Sequence, residues 1–313
     1  MNLIIKQNII KNKMSWHKPT ILLAGPASAK LFLILGATKR LCEEKDFLSD
    51  VKIFAGVSAG AAMTLLLVCG YNIDEIIDLC MDITIIDDIA NINLDEAREK
   101  LGLIRNQTIE NRLHDAIVKK IGFIPTLKQL YCITGLEWTA VAFNVDKMKG
   151  EFFNKDNDPD MSVLELVMMS MCVPILIQPR KYKGYSYVDG ALTQPLPVLY
   201  FDHSDNKILA LHISAEEDLS YSDQSSTTFL YRLVHAGMSA IKEFNIDYAS
   251  ENVKYIPLKT NIKDITGLTL SRETRQKMVD YGYACAANFL KINSDPEKYT
   301  INLGENEEIP FQV

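Results

Sequence analysis

The chain has 313 residues, of which 48% are hydrophobic and 23% are charged, and its formal net charge at pH 7 is −7. A chain of this length buries a large core without the help of disulfide bonds. Its acidic balance, with no basic block among aromatic residues, excludes the usual nucleic-acid-binding surface, and we expect no nucleic-acid partner. No run is long and apolar enough to span a bilayer, and we expect no secretory signal, because the first residues lack a continuous apolar core and a small-residue cleavage site. We therefore expect a cytoplasmic protein.

The spacing of the six cysteines indicates free thiols. They form no C-x-x-C pair and no pattern of metal ligands. We expect reduced core residues of an intracellular protein, with no metal and no cofactor. The cysteines are Cys42, Cys69, Cys80, Cys132, Cys172 and Cys285.

Strand-like and helix-like patterns alternate along the chain, which predicts an α/β fold with a mostly parallel sheet flanked by helices on both faces. The predicted strands are 20–24, 51–55, 137–145, 185–188, 208–213 and 253–257. The predicted helices are 31–44, 59–69, 73–81, 108–121, 163–173, 226–244 and 271–290. Two pairs, Asn72 with Glu75 and Ser162 with Glu165, have the spacing of capping boxes at helix starts.

We expect a single domain over residues 19–313, because no repeat, low-complexity linker or Pro/Gly-rich hinge divides the chain. Its motifs lie within 20–197, and the part over 198–313 is more helical. Residues 1–18 are interpreted as an N-terminal extension. Their mixture of isoleucine and lysine leaves two interpretations open, a frayed or strand-like end and a segment on a membrane surface.

The most informative segment is Gly56-Val57-Ser58-Ala59-Gly60, which lies at a predicted strand-to-helix junction. A tight turn of this kind presents a serine hydroxyl as a nucleophile, and only small neighbours fit around it. Gly56 and Gly60 flank Ser58 in the pattern G-x-S-x-G. A buried turn that only packs a helix against a sheet is the alternative interpretation.

A second motif, Asp189-Gly190-Ala191, ends a predicted strand and precedes a turn-rich stretch. An aspartate at a strand end can expose its carboxylate, while Gly190 lets another segment approach the backbone closely. Taken alone, this motif indicates only a turn. Its combination with the serine motif, and with the helix between the two, indicates catalysis.

In these features the chain resembles the patatin-like acylhydrolases, a family of lipases and phospholipases. The shared features are a strand with a glycine-bearing loop over 21–30, the G-V-S-A-G motif, a helix over 161–174 that ends in a Ser/Cys-x-Pro element, and the D-G-A motif. The resemblance implies a three-layer α/β fold related to the catalytic domain of cytosolic phospholipase A2. It also implies a lipid acyl ester hydrolase that acts on membrane lipids or phospholipids, with transient contact at the membrane surface.

The resemblance implies that Ser58 is the nucleophile and that Asp189 is the base that takes its proton, with no histidine required. It implies oxyanion donors at the backbone N–H of Ala59 and in the loop after the first strand, at Ala27 and Ser28. The supporting motif positions are Gly25, Lys30, Gly56, Gly60 and Gly190.

The loop departs from the family pattern, in which three glycines precede the basic position. Lys30 matches the basic position, but Pro26, Ala27 and Ser28 stand where the glycines are expected. Proline has no N–H to donate, and a positive φ at either of the other two costs roughly 1–2 kcal/mol. Two outcomes stay open: a hydrolase whose oxyanion hole has another geometry, and a weak or inactive protein that binds lipid or protein.

The α/β-hydrolases offer a second interpretation of the serine motif. Their Ser-His-Asp triad requires a histidine after the acid in the chain. The candidates for that residue are His203, His212 and His235.

Overall fold

The computed structural model describes residues 18–82, 102–104, 106–215, 226–260 and 270–294. An eight-stranded sheet lies at the centre of this part of the chain. Its strands are β1 (Ile21–Ala24), β2 (Ile53–Gly56), β4 (Glu137–Asn144), β5 (Lys149–Phe153), β7 (Arg180–Tyr182), β8 (Tyr185–Asp189), β9 (Ile208–Ala215) and β10 (Val253–Thr260), and a separate two-stranded sheet pairs β3 (Gly102–Ile104) with β6 (Ile175–Ile177). Apart from Lys18, the predicted N-terminal extension lies outside the described residues.

Five strands, in the order β10-β9-β1-β2-β4, are parallel to one another. Ala24 of β1 lies opposite both Gly56 of β2 and Leu211 of β9, so the carboxyl ends of these strands meet at one edge of the sheet. Strands β5, β7 and β8 extend the sheet with antiparallel pairing. The predicted α/β class is confirmed, and the antiparallel extension is a feature that the sequence patterns did not predict.

Helices account for most of the remaining described chain. They are α1 (Leu31–Glu43), α2 (Ala59–Val68), α3 (Ile73–Met81), α4 (Gln107–Ile121), α5 (Leu127–Thr134), α6 (Val163–Ser170), α7 (Val198–Phe201), α8 (Ser226–Tyr248) and α9 (Arg272–Ser294). Each predicted helix is present, with ends that differ by at most four residues. None of these helices is long and apolar enough to cross a membrane.

Side chains of the parallel strands alternate between two cores, one on each face of the sheet. Leu22 and Ala24 contribute to the larger core, which contains residues of α1, α2, α6 and α9. Ile21 and Leu23 contribute to the other core, which contains residues of α7 and α8. Helices therefore cover both faces, and the architecture has the expected three layers.

Helices α1 and α9 pack with their backbones in close approach. A Cβ atom at Gly36 of α1 would collide with the backbone of Val279, and one at Gly282 of α9 would collide with the carbonyl of Leu33. Each glycine therefore allows the partner helix to approach more closely than any larger residue would.

One of the two predicted capping boxes is complete. The Asn72 side chain accepts the N–H of Glu75, and the Glu75 carboxylate accepts the N–H of Asn72, both at 2.9 Å. Of the two hydrogen bonds predicted for the capping box of Ser162 and Glu165, the one accepted by the Glu165 carboxylate is wrong. Ser162 accepts the N–H of Glu165, but the Glu165 carboxylate pairs with Arg180 at 3.2 Å. A long-range ion pair thus replaces the local hydrogen bond.

All six cysteines are free, as predicted. The expectation that they are core residues is wrong for Cys42 and Cys132, which are exposed, whereas Cys69 and Cys172 are buried. Cys42 directly follows the buried Leu41 on α1. Neighbours on a helix point about 100° apart, so an apolar pattern does not bury every member of it.

Candidate active site

Ser58 occupies a strained turn between β2 and α2. Its φ of 58° and ψ of −130° lie outside the usual regions for a non-glycine residue, at a cost of about 1–3 kcal/mol. Two hydrogen bonds hold this turn. The N–H of Val57 donates to the carbonyl of Ala24 at 3.1 Å, and the N–H of Ser58 donates to Oγ of Ser170 at 3.0 Å.

Both glycines of the serine motif are required by close backbone contacts. A Cβ atom at Gly60 would collide with the carbonyl oxygens of Ala24 and Gly25. One at Gly56 would collide with the backbone of Ala61. Because the start of α2 lies directly against the ends of β1 and β2, only glycine fits at these positions.

The pairing of β4 brings the two motifs together. Strand β2 pairs with the first half of β4 and β8 with the second half, while β5 occupies the opposite edge. Since β2 is parallel and β8 antiparallel to β4, the carboxyl ends of β2 and β8 point toward each other. Gly56 lies opposite Ala140, and Asp189 lies opposite Ala142. Ser58 therefore emerges beside Asp189.

Ser58 and Asp189 are in direct contact. The Ser58 hydroxyl interacts with the Asp189 carboxylate and lowers its pKa, and the carboxylate accepts a hydrogen bond from the N–H of Ala191 at 2.9 Å. A Cβ atom at Gly190 would collide with the carbonyl of Val141 on β4. The glycine thus lets the chain turn tightly after Asp189 and hold its carboxylate at the strand end.

Burial is the main influence on the charge of Asp189. It raises the pKa of this carboxyl from 3.8 to about 6, and the hydrogen bonds from Ser58 and Ala191 oppose the rise. A carboxylate with this pKa is still largely ionised near neutral pH, and it is a stronger base than an exposed aspartate. The arrangement can therefore accept a proton from the serine hydroxyl.

The loop after β1 has only part of the geometry expected of an oxyanion loop. The N–H of Gly25 donates to the carbonyl of Leu211 at 2.9 Å, so it is occupied within the fold. Ala27 is buried, whereas Ser28 is exposed and has a φ of 48°. The left-handed conformation expected at a glycine position is thus present at Ser28, where a serine adopts it at a cost of roughly 1–2 kcal/mol.

Two further motif positions, Lys30 and Ala59, lie at the ends of helical segments. Lys30 ends a single 3-10 turn, and its N–H donates to the carbonyl of Ala27 at 2.9 Å. Ala59 is the first residue of α2. The N–H of a first helical residue has no acceptor inside its own helix, and the helix dipole favours negative charge there.

Ser170, the last residue of α6, contacts the backbone of Ser58, and the sequence analysis did not predict this contact. It is fully buried, and its Oγ is the acceptor for the N–H of Ser58. A buried serine at the end of a largely apolar helix needs a polar partner. That signal was present in the sequence, but it does not identify the partner, which lies 112 positions away in the chain.

Ser58 and Ala191 are the groups that lower the pKa of Asp189 against the effect of burial, and no histidine of the described chain is among them. Burial lowers the pKa of His212 to about 3, so its imidazole is neutral. His203 and His235 are exposed. The geometry thus brings together the two residues of the predicted dyad.

A family model described as "Patatin-like phospholipase" matches residues 28–202, more than half of the 313-residue chain. The chain belongs to the patatin-like phospholipase family. The matched segment includes both the serine motif and the aspartate motif. The resemblance predicted from these motifs is therefore confirmed.

Two viral proteins are among the relatives of this family member. "Probable lipid hydrolase 463L" of Invertebrate iridescent virus 6 is 30% identical over 192 residues, which cover 59% of this chain and 63% of that protein. "Uncharacterized protein R571" of Acanthamoeba polyphaga mimivirus is 24% identical over 275 residues, which cover 83% of this chain and 88% of that protein. The chain thus spans less than two thirds of the first relative.

A solved structure extends the comparison of the fold to a bacterial protein. VipD from Legionella pneumophila matches with a TM-score of 0.56 at 16% identity, over 89% of this chain and 68% of VipD. At this level of identity the match demonstrates a shared fold.

Proposed function

We propose that the protein hydrolyses acyl esters of lipids, as a phospholipase A or lipase, through an acyl intermediate on Ser58. The observation that carries this proposal is the meeting of the Ser58 hydroxyl with the Asp189 carboxylate at a strained strand-to-helix turn. Membership of a family of lipid hydrolases supports an ester of a lipid as the substrate.

In the first half of the reaction, Oγ of Ser58 attacks the ester carbonyl carbon while Asp189 takes the hydroxyl proton. The tetrahedral intermediate collapses, the C–O bond to the alcohol breaks, and Asp189 returns the proton to the leaving oxygen. In the second half, water attacks the acyl-serine and gives its proton to Asp189. The fatty acid leaves, and the proton returns to Ser58.

The negative charge on the tetrahedral oxygen requires fixed donors. The N–H of Ala59 is the first that we assign, since it adjoins the nucleophile at the start of α2. Ala27 and Ser28 are the remaining proposed donors. Loss of one such donor typically lowers turnover by roughly 10²–10³-fold, so the geometry of this loop determines the rate.

A second candidate function is a weak or inactive patatin-like protein that binds lipid or protein. It is favoured by the loop itself, where Pro26 offers no N–H and Ser28 holds a positive φ without being glycine. The intact contact of Ser58 with Asp189 favours the hydrolase over this alternative.

Labelling with a fluorophosphonate probe tests the proposal most directly. We expect Ser58 to be labelled, and we expect hydrolysis of p-nitrophenyl butyrate and of a fluorescent phospholipid. Ser58→Ala and Asp189→Asn should each abolish hydrolysis while the fold is retained. Ser204→Ala is the matched control, because Ser204 is exposed and also has a left-handed φ, of 56°. Absence of labelling at Ser58 would favour the binding protein.

We also propose a cytoplasmic location. The support is that all six cysteines are unpaired, as expected where thiols are kept reduced.

A further inference from the structure

Two hairpins extend beyond the edge of the sheet at which Ser58 and Asp189 lie. Asp189 is opposite Ala142, and β4 continues for two more residues, about 7 Å, before it turns into β5. The turn between β7 and β8 lies beside it, because the N–H of Val145 donates to the carbonyl of Ser186 at 2.9 Å. We call residues 145–149 and 181–185 together the hairpin tip.

The hairpin tip exposes apolar side chains at its outer end. Met148 is 74% exposed, and Val145 and Tyr185 are 39% and 37% exposed. Met148 also has a φ of 53°, an uncommon conformation for a side chain of this size. An exposed apolar group on a turn that overhangs a proposed lipid site is well placed to enter a lipid surface.

The outward-facing charges of the hairpin tip are mostly positive. Its four lysines are exposed, and the side chains of Lys149 and Lys183 are 61% and 63% accessible. Their carboxylate partners, Glu151 and Asp158, are largely buried, with 17% and 11% of the side chain accessible. The four lysines are Lys147, Lys149, Lys181 and Lys183. The tip therefore presents cations to its surroundings although the whole chain carries −7.

Contacts within the hairpin tip hold the two turns together. The Asp146 carboxylate accepts the N–H of Ser186 at 2.6 Å. The Lys147 ammonium lies over the ring of Tyr185, 4.0 Å from its centroid. The exposed carboxylate of the tip is thus used to fix the second turn, and the cationic and apolar groups form one surface.

We propose that the hairpin tip docks the protein on an anionic lipid surface, with Met148 inserted among the lipids and the lysines at the headgroups. Lysine side chains near such a surface are attracted to it, and their apolar stems accompany the inserted group. The docked orientation turns the edge that carries Ser58 and Asp189 toward the lipid. This inference rests on the proposed lipid substrate.

Co-sedimentation of the full chain with vesicles tests the docking. We expect binding to phosphatidylcholine vesicles that contain about 30% phosphatidylserine, and much weaker binding to phosphatidylcholine alone. Lys147→Gln/Lys149→Gln should weaken the partition about five-fold per lysine, and Met148→Asp should weaken it further. Neither variant touches the catalytic pair, so hydrolysis of the water-soluble p-nitrophenyl butyrate should be unchanged.

Matched controls lie at the opposite edge of the sheet. Lys45→Gln/Lys52→Gln removes two exposed lysines that precede β2, and Ile133→Asp changes a side chain that is 52% exposed on α5, before β4 begins. We expect both controls to bind as the wild type does. Docking by the tip is overturned if the controls lose as much binding as the tip variants, or if the wild type binds only protein partners and no vesicle.

The failure of the docking and the failure of the proposed hydrolysis give different results. A wild-type chain that hydrolyses p-nitrophenyl butyrate but does not bind anionic vesicles overturns the docking alone. A chain that binds through the hairpin tip but neither labels at Ser58 nor turns over the ester supports the docking and overturns the hydrolase.

Discussion

At the scale of single residues, the raised pKa of Asp189 determines how the proposed activity depends on pH. Only the ionised carboxylate can take the Ser58 proton, and burial places its pKa at about 6. We expect kcat/KM for p-nitrophenyl butyrate to rise with pH and to level off above about pH 7, with a midpoint near 6. A midpoint near 4, the ordinary value for aspartate, would contradict the raised pKa of the base.

The same buried carboxyl lowers the stability of the folded protein at neutral pH. The unfolded chain ionises at the ordinary pKa of 3.8 and the folded protein at about 6. As pH rises through this window, the unfolded state loses its proton first, so the free energy of unfolding falls by up to about 3 kcal/mol. We expect Asp189→Asn to be more stable than wild type by that amount above about pH 6, and equally stable below about pH 4.

Urea unfolding at the two ends of this pH range measures the difference. The comparison of the two proteins at low pH is an internal control. There Asp189 of the wild type is protonated, so the variant differs from it only in the side chain and not in charge. If Asp189→Asn were no more stable than wild type at the higher pH, the buried charge would not be the cause.

Ser170 is expected to act on the reaction through the backbone of Ser58. Ser170→Ala removes the acceptor at 3.0 Å from the Ser58 N–H, and the loosened turn should lower kcat by roughly 10–100-fold with little change in KM. Ser162→Ala is the control, since Ser162 caps the same helix by accepting the N–H of Glu165. It should cost about 1 kcal/mol of stability and leave kcat unchanged. Equal loss of kcat in both would indicate a general effect of α6.

The sequence predicted the two residues that the structure brings together, but it did not predict their surroundings. Ser58 and Asp189 follow from local requirements, because each lies at a strand end beside glycines that no other residue could replace. The role of Ser170 and the pKa of Asp189 depend on which distant segments pack together. Such contacts leave no spacing pattern in one sequence.

At the scale of elements, the close approach of α1 and α9 makes a stability prediction. Gly36→Ala would place a Cβ atom against the backbone of Val279, so we expect a loss of about 1–3 kcal/mol in the free energy of unfolding. Gly237→Ala on α8 is the matched control. Nothing lies within 4 Å of its added Cβ atom, and helix propensity should stabilise the protein by about 0.5–1 kcal/mol.

Urea unfolding of both variants separates the effect of helix packing from that of helix propensity. Both changes add one methyl group to a helical glycine, but only the one at Gly36 meets a neighbouring helix. Stabilisation by Gly36→Ala would show that the two helices separate at little cost.

Elements with strong local signals were predictable, and those held by distant partners were not. The capping box of Asn72 and Glu75 uses only neighbours in the chain, and it forms as predicted. Glu165 finds Arg180 instead of its own helix start, because an ion pair with a strand is available there. Strands β5 and β7 are short, and Lys149 and Lys181 within them are exposed. They lack the apolar alternation on which a strand prediction depends.

At the scale of the whole molecule, the three layers were predictable from alternating strands and helices, but the order of the strands was not. Strand β4 shares one edge between β2 and β8, and this arrangement alone brings the two motifs together. Nothing in the local pattern of β4 marks the point, between Ala140 and Ala142, at which one partner replaces the other.

The distribution of charge over the molecule predicts the sign of a salt effect on the proposed docking. The net charge of −7 repels an anionic surface, whereas the lysines of the hairpin tip attract it. Raising the salt from about 0.1 M to about 1 M shortens the screening length from about 10 Å to about 3 Å. If the hairpin tip contacts the lipid, its lysines lie closer to the anionic surface than the rest of the molecule does, so their attraction outweighs the repulsion of the net charge. Screening by salt then weakens mainly the attraction, and binding should weaken several-fold as salt rises.

The Lys147→Gln/Lys149→Gln variant tests whether the lysines of the hairpin tip cause the salt dependence of vesicle binding. It lowers the local positive charge while the repulsion of the remaining molecule persists, so its vesicle binding should change little with salt or should strengthen. Met148→Asp retains all four lysines and should bind more weakly than wild type at every salt concentration, with binding that still falls as salt rises. Wild-type binding that strengthens with salt would mean that the acidic bulk of the molecule, and not the hairpin tip, governs the approach to the membrane.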